Sequence, residues 1–243
     1  MIDEVLLPSR KALVGISIGG VVLFTSIDYP GHLAAVIFCQ GCGWRCSYCH
    51  NPHLQPITQD RNSWEEVKCL LQERKGFLDG VVFSGGEPLL QTNLKDAILD
   101  ARDMGFKVAV HTGGAVPRKF AEILPFVDWV GFDVKAPFDR YHEVTKIKDS
   151  GLQAKQSLKM LLESGIEYEV RTTIAVDVFT HEYLLKISEE LAALGVRTFV
   201  LQAFRSEKRG LDSMIEQKNL FFNNAILMKE LGSRFTNFFV RGL

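Results

Sequence analysis

The chain has 243 residues, 47% hydrophobic and 23% charged, with 28 Lys plus Arg against 29 Asp plus Glu and a net charge of −1. That length suits one domain, and a barrel-type α/β domain can fill it. The balanced charge offers no basic excess for nucleic acid and no charge run for a membrane surface.

The start, Met1 to Val5, lacks a positive region ahead of an apolar stretch, so no secretion signal is read there. Ala12 to Phe24 is apolar but too short to span a bilayer, and Gly15, Gly19 and Gly20 interrupt it. The cytoplasm is the expected location. Asp28-Tyr29-Pro30-Gly31 has turn composition and closes an N-terminal extension over 1–32.

From about residue 33, strand-like and helix-like runs alternate. Strands are predicted at Leu33–Cys39, Gly80–Ser84, Phe106–Thr112, Val127–Val134, Tyr168–Ala175 and Arg197–Ala203. Most are near-continuous apolar or β-branched runs, as in a parallel sheet covered by helices. Ser63 and Glu66 make a capping box for a helix carrying Val67, Leu70 and Leu71 on one face. Further apolar stripes are Leu94, Ala97, Ile98 and Ala101; Leu158, Leu161 and Leu162; and Leu184, Ile187, Leu191 and Leu194. Gly105, Gly165 and Gly195 follow three of these helices, where glycine takes the left-handed conformation that stops a helix.

The repeating unit predicts a partial (β/α)6 barrel of TIM type, with right-handed crossovers and its core at about 33–204. A helix over Gln217–Leu231 and a strand over Phe235–Val240 follow, in a C-terminal part at about 215–241. The whole chain, 1–243, reads as a single domain. Chemistry is expected at the strands' carboxyl ends, and every motif below falls there.

Cys39, Cys42, Cys46, Cys49 and Cys69 are the five cysteines, and four of them fall within eleven residues. In a cytosolic chain such a cluster reads as metal binding rather than disulfides. Cys42, Cys46 and Cys49 form C-x3-C-x2-C. A short glycine-containing loop after a strand wraps three thiolates around one cubane, one per iron, and leaves the fourth iron open to a chelating group. Cys39 closes an apolar strand and reads as a core residue, as does Cys69 on its helix.

Two zinc readings of these residues stay open. Cys39, Cys42, Cys46 and Cys49 contain two C-x2-C pairs, but only three residues separate them, where zinc ribbons use a long spacer. A site of Cys42, Cys46, Cys49 and His50 would put adjacent residues on one tetrahedral ion. Either makes the chain a non-catalytic zinc-binding interaction module.

With Tyr48 directly before the last cysteine, the segment resembles the radical S-adenosylmethionine (SAM) superfamily. The run Cys49-His50-Asn51-Pro52 is similar to the activating enzymes of glycyl-radical proteins. This resemblance implies a [4Fe–4S] cluster on Cys42, Cys46 and Cys49 with one open iron, SAM as second cofactor, and SAM contacts from Tyr48, Cys49 and His50. It implies reductive cleavage of SAM to methionine and a 5′-deoxyadenosyl radical, which takes a hydrogen from a glycine Cα of a partner.

Downstream motifs extend the resemblance. Ser84-Gly85-Gly86-Glu87-Pro88 ends the second strand; its glycines admit close backbone approach, and Glu87 and the carbonyls accept from an ammonium. In the family such a run binds the SAM amino group. His111-Thr112-Gly113-Gly114 ends the third strand: Thr112 matches the family, whereas His111 stands where an acid is common and also reads as a core histidine. Asp133 and Lys135, two apart, face one side and read as SAM neighbours or a strand-end ion pair. Arg171 reads as a partner of the SAM carboxylate or ribose, or as a charge snorkelling from the barrel. Gln202 and Arg205 would line the mouth.

With Ser26 to Gly31, Asp133-Val134-Lys135-Ala136-Pro137, Arg171-Thr172-Thr173 and Val240-Arg241-Gly242, the set is most similar to the longer activating proteins of anaerobic ribonucleoside-triphosphate reductase. The implied partners are a glycyl-radical enzyme, the anaerobic ribonucleotide reductase, and a flavodoxin or ferredoxin as electron donor. Other radical SAM reactions are the alternative: a pyruvate formate-lyase-type partner, a small-molecule rearrangement as in deazapurine synthesis, or a peptide modification.

Overall fold

In the computed structural model, residues 16–58, 63–175, 179–204 and 221–242 are described. Eight strands form one sheet in sequence order, β1(Ile18–Thr25), β2(Ala34–Cys39), β3(Gly80–Gly85), β4(Lys107–Thr112), β5(Trp129–Asp133), β6(Glu167–Ile174), β7(Thr198–Ala203) and β8(Asn237–Arg241). β1 pairs antiparallel with β2, and every later pairing is parallel. The six expected strands are β2 to β7, and the expected last strand is β8. β1 was not expected: Val21, Val22 and Thr25 are β-branched, but Gly19 and Gly20 mask the run. Gly19 sits there because a Cβ would land 2.2 Å from Leu54.

Among the described residues the α-helices are α1(Trp64–Glu73), α2(Leu94–Asp103), α3(Pro117–Ile123), α4(Tyr141–Thr145), α5(Ser150–Ser164), α6(His181–Ala193) and α7(Ala225–Gly232). α1 starts on the expected capping box, Ser63 accepting from Glu66 N–H while the Glu66 carboxylate accepts from Ser63 N–H. Gly105, Gly165 and Gly195 adopt φ of 91°, 74° and 86°, as their stop positions require. Of the expected helix over Gln217–Leu231, only the last part is found as α7: Asn224, whose side chain accepts from Leu227 N–H, caps a new start at Ala225, and Gln217 to Leu220, like Arg205, lie outside the described residues. Among the described residues no helix is long and apolar enough to cross a membrane.

Strand alternation sorts the sheet's two faces. Ala35, Ile37, Val81, Phe83, Val108 and Val110 face the helices and join the main core. Val36, Val82, Ala109 and Trp129 are ladder neighbours on the inner face and pack with Tyr29 and Ala34. Tyr29 therefore fills the barrel floor: a Cβ on Gly80 would lie 3.0 Å from its ring. Asp28–Gly31 forms the expected turn, with Pro30 and Gly31 exposed, and its buried Tyr29 is the plug. Above this apolar layer the inner face turns polar, with His111, Gly131, Asp133, Glu169, Arg171, Thr173 and Gln202 on β4 to β7.

Candidate active site

The loop after β2 carries Cys42, Cys46 and Cys49, all three lining one cavity of about 240 Å³ at the strands' carboxyl ends. Cys39 is buried in β2 as expected, but Cys69, expected as a core residue, is exposed on α1: two positions after buried Val67 and two before buried Leu71, it sits on the helix's solvent side. Ser84, Gly85, Gly86, Glu87, Thr112, Asp133, Lys135 and Arg171 line the same cavity, as do Tyr48 and His50. Every described residue expected at the site is thus brought together. Residues missed in the sequence, Asp28, Trp44, Asn51, Gln55 and Thr173, line it as well, with His111 and Gln202. For Trp44 the signal was available: it stands between two candidate ligands.

The glycine turn and the cysteine loop are packed backbone to backbone. Gly86 N–H donates to Cys39 O at 2.9 Å, and Glu87 N–H to Gly41 O at 2.9 Å. A Cβ on Gly85 would lie 2.4 Å from Cys39 N, and one on Gly86 2.3 Å from Gly41 O. The glycines therefore answer first to the neighbouring loop, not only to a ligand.

Glu87 is 2% exposed. Its Oε1 accepts from Thr112 Oγ1 at 2.6 Å and Leu89 N–H at 3.1 Å, and its Oε2 accepts from Gly113 N–H at 3.0 Å. Burial raises its carboxyl above the usual range, and these donors restrain the rise. Gly113 has no Cβ because one would lie 2.1 Å from the Trp44 ring.

Asp133 and Arg171 are register partners. Asp133 Oδ1 accepts from Arg171 Nε at 2.9 Å and Oδ2 from Lys135 Nζ at 3.1 Å. The Arg171 side chain lies over Gly131, where a Cβ would be 2.6 Å from its guanidinium. So the ion-pair reading of these residues and the cavity reading hold together. Burial alone would raise Asp133, but Arg171 and Lys135 hold it well below the carboxylate range. Burial alone would lower Lys135, but Asp133 and then Cys46 raise it.

His111 Nε2 lies 2.7 Å from Asp28 O and 3.4 Å from Arg171 Nη1. The shorter contact is a hydrogen bond donated by Nε2–H. Burial and then Arg171 push the imidazole down to about 3, so it is neutral at physiological pH. The core-histidine reading of His111 holds, with the ring also facing the cavity.

Tyr48 is buried against Phe179 and Phe204, and its hydroxyl donates to Lys135 O at 3.2 Å. It pins the cysteine loop to the end of β5. His50 stacks on Phe204 at 4.7 Å.

The donor set fits an iron–sulfur cluster. Three thiols of one loop share one cavity, and Trp44 N–H donates to Cys42 Sγ at 3.4 Å. Burial, with Glu87 adding to it, pushes Cys42 up to about 12, and burial raises Cys46 too. Thiols so reluctant to ionise become thiolates when a metal replaces the proton. Among the described residues no three His, Cys, Asp or Glu side chains are grouped around a single metal ion. A cubane distributes its thiolates over different irons, so its ligands stand apart.

A family model described as the Radical SAM superfamily matches residues 36–200, from β2 through β7. The chain belongs to the radical SAM superfamily. Radical SAM enzymes use a [4Fe–4S] cluster and SAM, and this chain is one of these enzymes. It is 32% identical over 202 residues to the "Putative glycyl-radical enzyme activating enzyme MJ1227" of Methanocaldococcus jannaschii, covering 74% of this chain and 75% of that protein. It is 39% identical over 155 residues to the pyruvate formate-lyase-activating enzyme of Clostridium pasteurianum, covering 61% of this chain and 64% of the relative. Among solved structures, Streptococcus suis SuiB bound to S-adenosylmethionine matches 84% of this chain and 45% of its own, at TM-score 0.60 and 13% identity. That likeness is one of fold.

Proposed function

We infer that the chain activates a glycyl-radical enzyme, with Cys42, Cys46 and Cys49 holding the cluster and the cavity beside them holding SAM. The observation that carries this reading is the convergence of the three loop cysteines with Glu87, Lys135 and Arg171 in one cavity. The names of the Methanocaldococcus and Clostridium relatives support it. With cluster and SAM bound, one electron from the cluster cleaves SAM reductively and supplies the hydrogen-abstracting radical.

The chain's own groups prepare that chemistry. Glu87 Oε2 keeps capacity to accept from the SAM ammonium, since Gly113 N–H is its one donor there. Lys135 and Arg171 keep N–H groups for the SAM carboxylate or ribose, while Asp133 fixes both cations from below. Tyr48 and the loop hold the adenine. Neutral His111, tied to Asp28 O, adds a polar wall without adding charge.

For the partner, the sequence segments favour anaerobic ribonucleoside-triphosphate reductase, and the relatives' names favour pyruvate formate-lyase. Incubation of the reconstituted chain with SAM, reductant and each purified enzyme, read by electron paramagnetic resonance, separates them. A glycyl signal on the reductase alone supports the first; a signal on the lyase alone replaces it. SAM cleavage with a signal on neither supports a small-molecule or peptide substrate.

A further inference from the structure

Each reductive cleavage consumes one electron. With three cysteines on the cluster, Cys39 and Cys69 are too few for a second one in this chain. The electron must therefore cross the protein surface near the cysteine loop, provided that loop holds the cluster as inferred above.

One face of the molecule joins that loop to solvent. A cleft of about 840 Å³, lined by Phe138, α4, the turn at 146–149 and the start of α5, opens beside it. Arg45 N–H, one residue before Cys46, donates to Thr145 O at the end of α4 at 2.9 Å. Trp44 meets Tyr141 edge-on, with ring centroids 5.7 Å apart. Tyr141 stacks on Phe138 at 6.0 Å with planes 10° apart, and Phe138 lines the cleft. Three packed rings thus run from between the candidate ligands to the cleft.

The cleft's rim has the composition of a docking surface. Ile147 and Leu152 are 39% and 67% exposed, Lys146 and Lys148 are exposed cations lining the cleft, and Arg45 is exposed on the adjoining cysteine loop. Two of the three lining carboxylates are already paired, Asp139 with Lys186 at 2.6 Å and Glu143 with Arg140 at 2.9 Å. Asp149 stands against the three cations. Lys146 and Asp149 have φ of 62° and 60°, the two non-glycine residues of the described chain in the left-handed region. Backbone held there is strained, and it presents Ile147 and Lys148 outward.

We propose that this cleft docks an acidic one-electron carrier protein, with Phe138, Tyr141 and Trp44 as the packed route to the cluster loop. The carrier's reduced centre loses one electron and the cluster gains one; no bond or proton is exchanged. An apolar patch ringed by cations fits a carrier whose redox centre sits in an acidic rim, because the charges steer encounter and set register.

The test uses flavodoxin as probe and the Lys146→Glu/Lys148→Glu double variant of the reconstituted chain. Calorimetry with oxidised flavodoxin should show affinity reduced about tenfold or more, and wild-type affinity should fall with added salt. Stopped-flow reduction of the cluster by flavodoxin hydroquinone should slow in step, while dithionite-driven SAM cleavage stays at the wild-type rate. The Lys146→Arg/Lys148→Arg variant should bind as wild type, and Leu152→Asp should weaken binding without touching the lysines. Unchanged flavodoxin affinity in the charge-reversed variant overturns the proposal. So does a variant that keeps flavodoxin-driven cleavage but loses dithionite-driven glycyl-radical formation, because the face then belongs to the substrate enzyme. If the wild-type chain cleaves no SAM even with dithionite, the cluster assignment falls and the docking proposal with it.

Discussion

Arg171 Nε stands 2.9 Å from Asp133 Oδ1, and the two residues are direct register partners on β6 and β5. The same carboxylate takes Lys135 Nζ on its other oxygen, so one anion orients two cations at the cavity. Asp133→Asn should destabilise the cluster-free chain by about 2–3 kcal/mol at neutral pH, since it leaves two cations facing each other in a largely buried site. Burial opposes the ionised form, but Arg171 and Lys135 win and the folded-state value lies below the unfolded one. The pair's contribution is then complete above about pH 4 and is lost as pH falls further. Urea denaturation across the acid range checks this: the gap between wild type and variant should narrow below about pH 4.

His111 gives the opposite end of the titration. Its folded-state value of about 3 lies below that of an unfolded histidine, so unfolding takes up a proton as pH falls. Stability should decline from about pH 6.5 downward, with a slope no steeper than about 1.4 kcal/mol per pH unit from this residue. His111→Gln should flatten that stretch. NMR of the imidazole should show no titration between about pH 5 and 8.

Gly113→Ala tests the packing of the cysteine loop. The added methyl would lie 2.1 Å from the Trp44 ring, which stands between Cys42 and Cys46. Overpacking of this kind costs about 1–3 kcal/mol and moves the ring. Iron retained after anaerobic reconstitution should drop well below wild type. Gly43→Ala is the control, because its methyl would meet only Leu90, at 3.8 Å.

The layer order and the site were legible to different degrees, for physical reasons. β2 to β7 could be read because buried parallel strands are continuous apolar runs ended by glycine stops. β1 could not, because Gly19, which admits Leu54 and Gln40, breaks its pattern together with Gly20. The three-cysteine loop and Glu87 were legible from spacing. What one chain's spacing does not encode is contact across the barrel: Asp28 O meets His111 from 83 residues away, and Arg241 Nη1 and Nη2 fork onto Glu169 at 2.7 and 2.8 Å from 72 residues away. The turn at Asp28 to Gly31 was legible as a turn, but carried no sign that its Tyr29 plugs the barrel floor.

Glu87→Ala separates ligand binding from cluster binding. It strands the Thr112 hydroxyl and the N–H groups of Leu89 and Gly113 in a buried site, for a loss of about 2–3 kcal/mol. Iron content should stay near wild type while SAM affinity and cleavage fall by at least about tenfold, as a lost charge-assisted bond implies. Equilibrium binding of SAM to the reconstituted variant is the readout, and wild-type affinity there would remove Glu87 from the site.

The most direct test is electron paramagnetic resonance of the anaerobically reduced, reconstituted chain before and after SAM, on wild type, Cys39→Ala and Cys46→Ala. Wild type and Cys39→Ala should carry a full cluster whose signal shifts when SAM binds the open iron, and Cys46→Ala should lose the cluster. A signal indifferent to SAM in wild type, or equal iron loss in both variants, would contradict the three-ligand site.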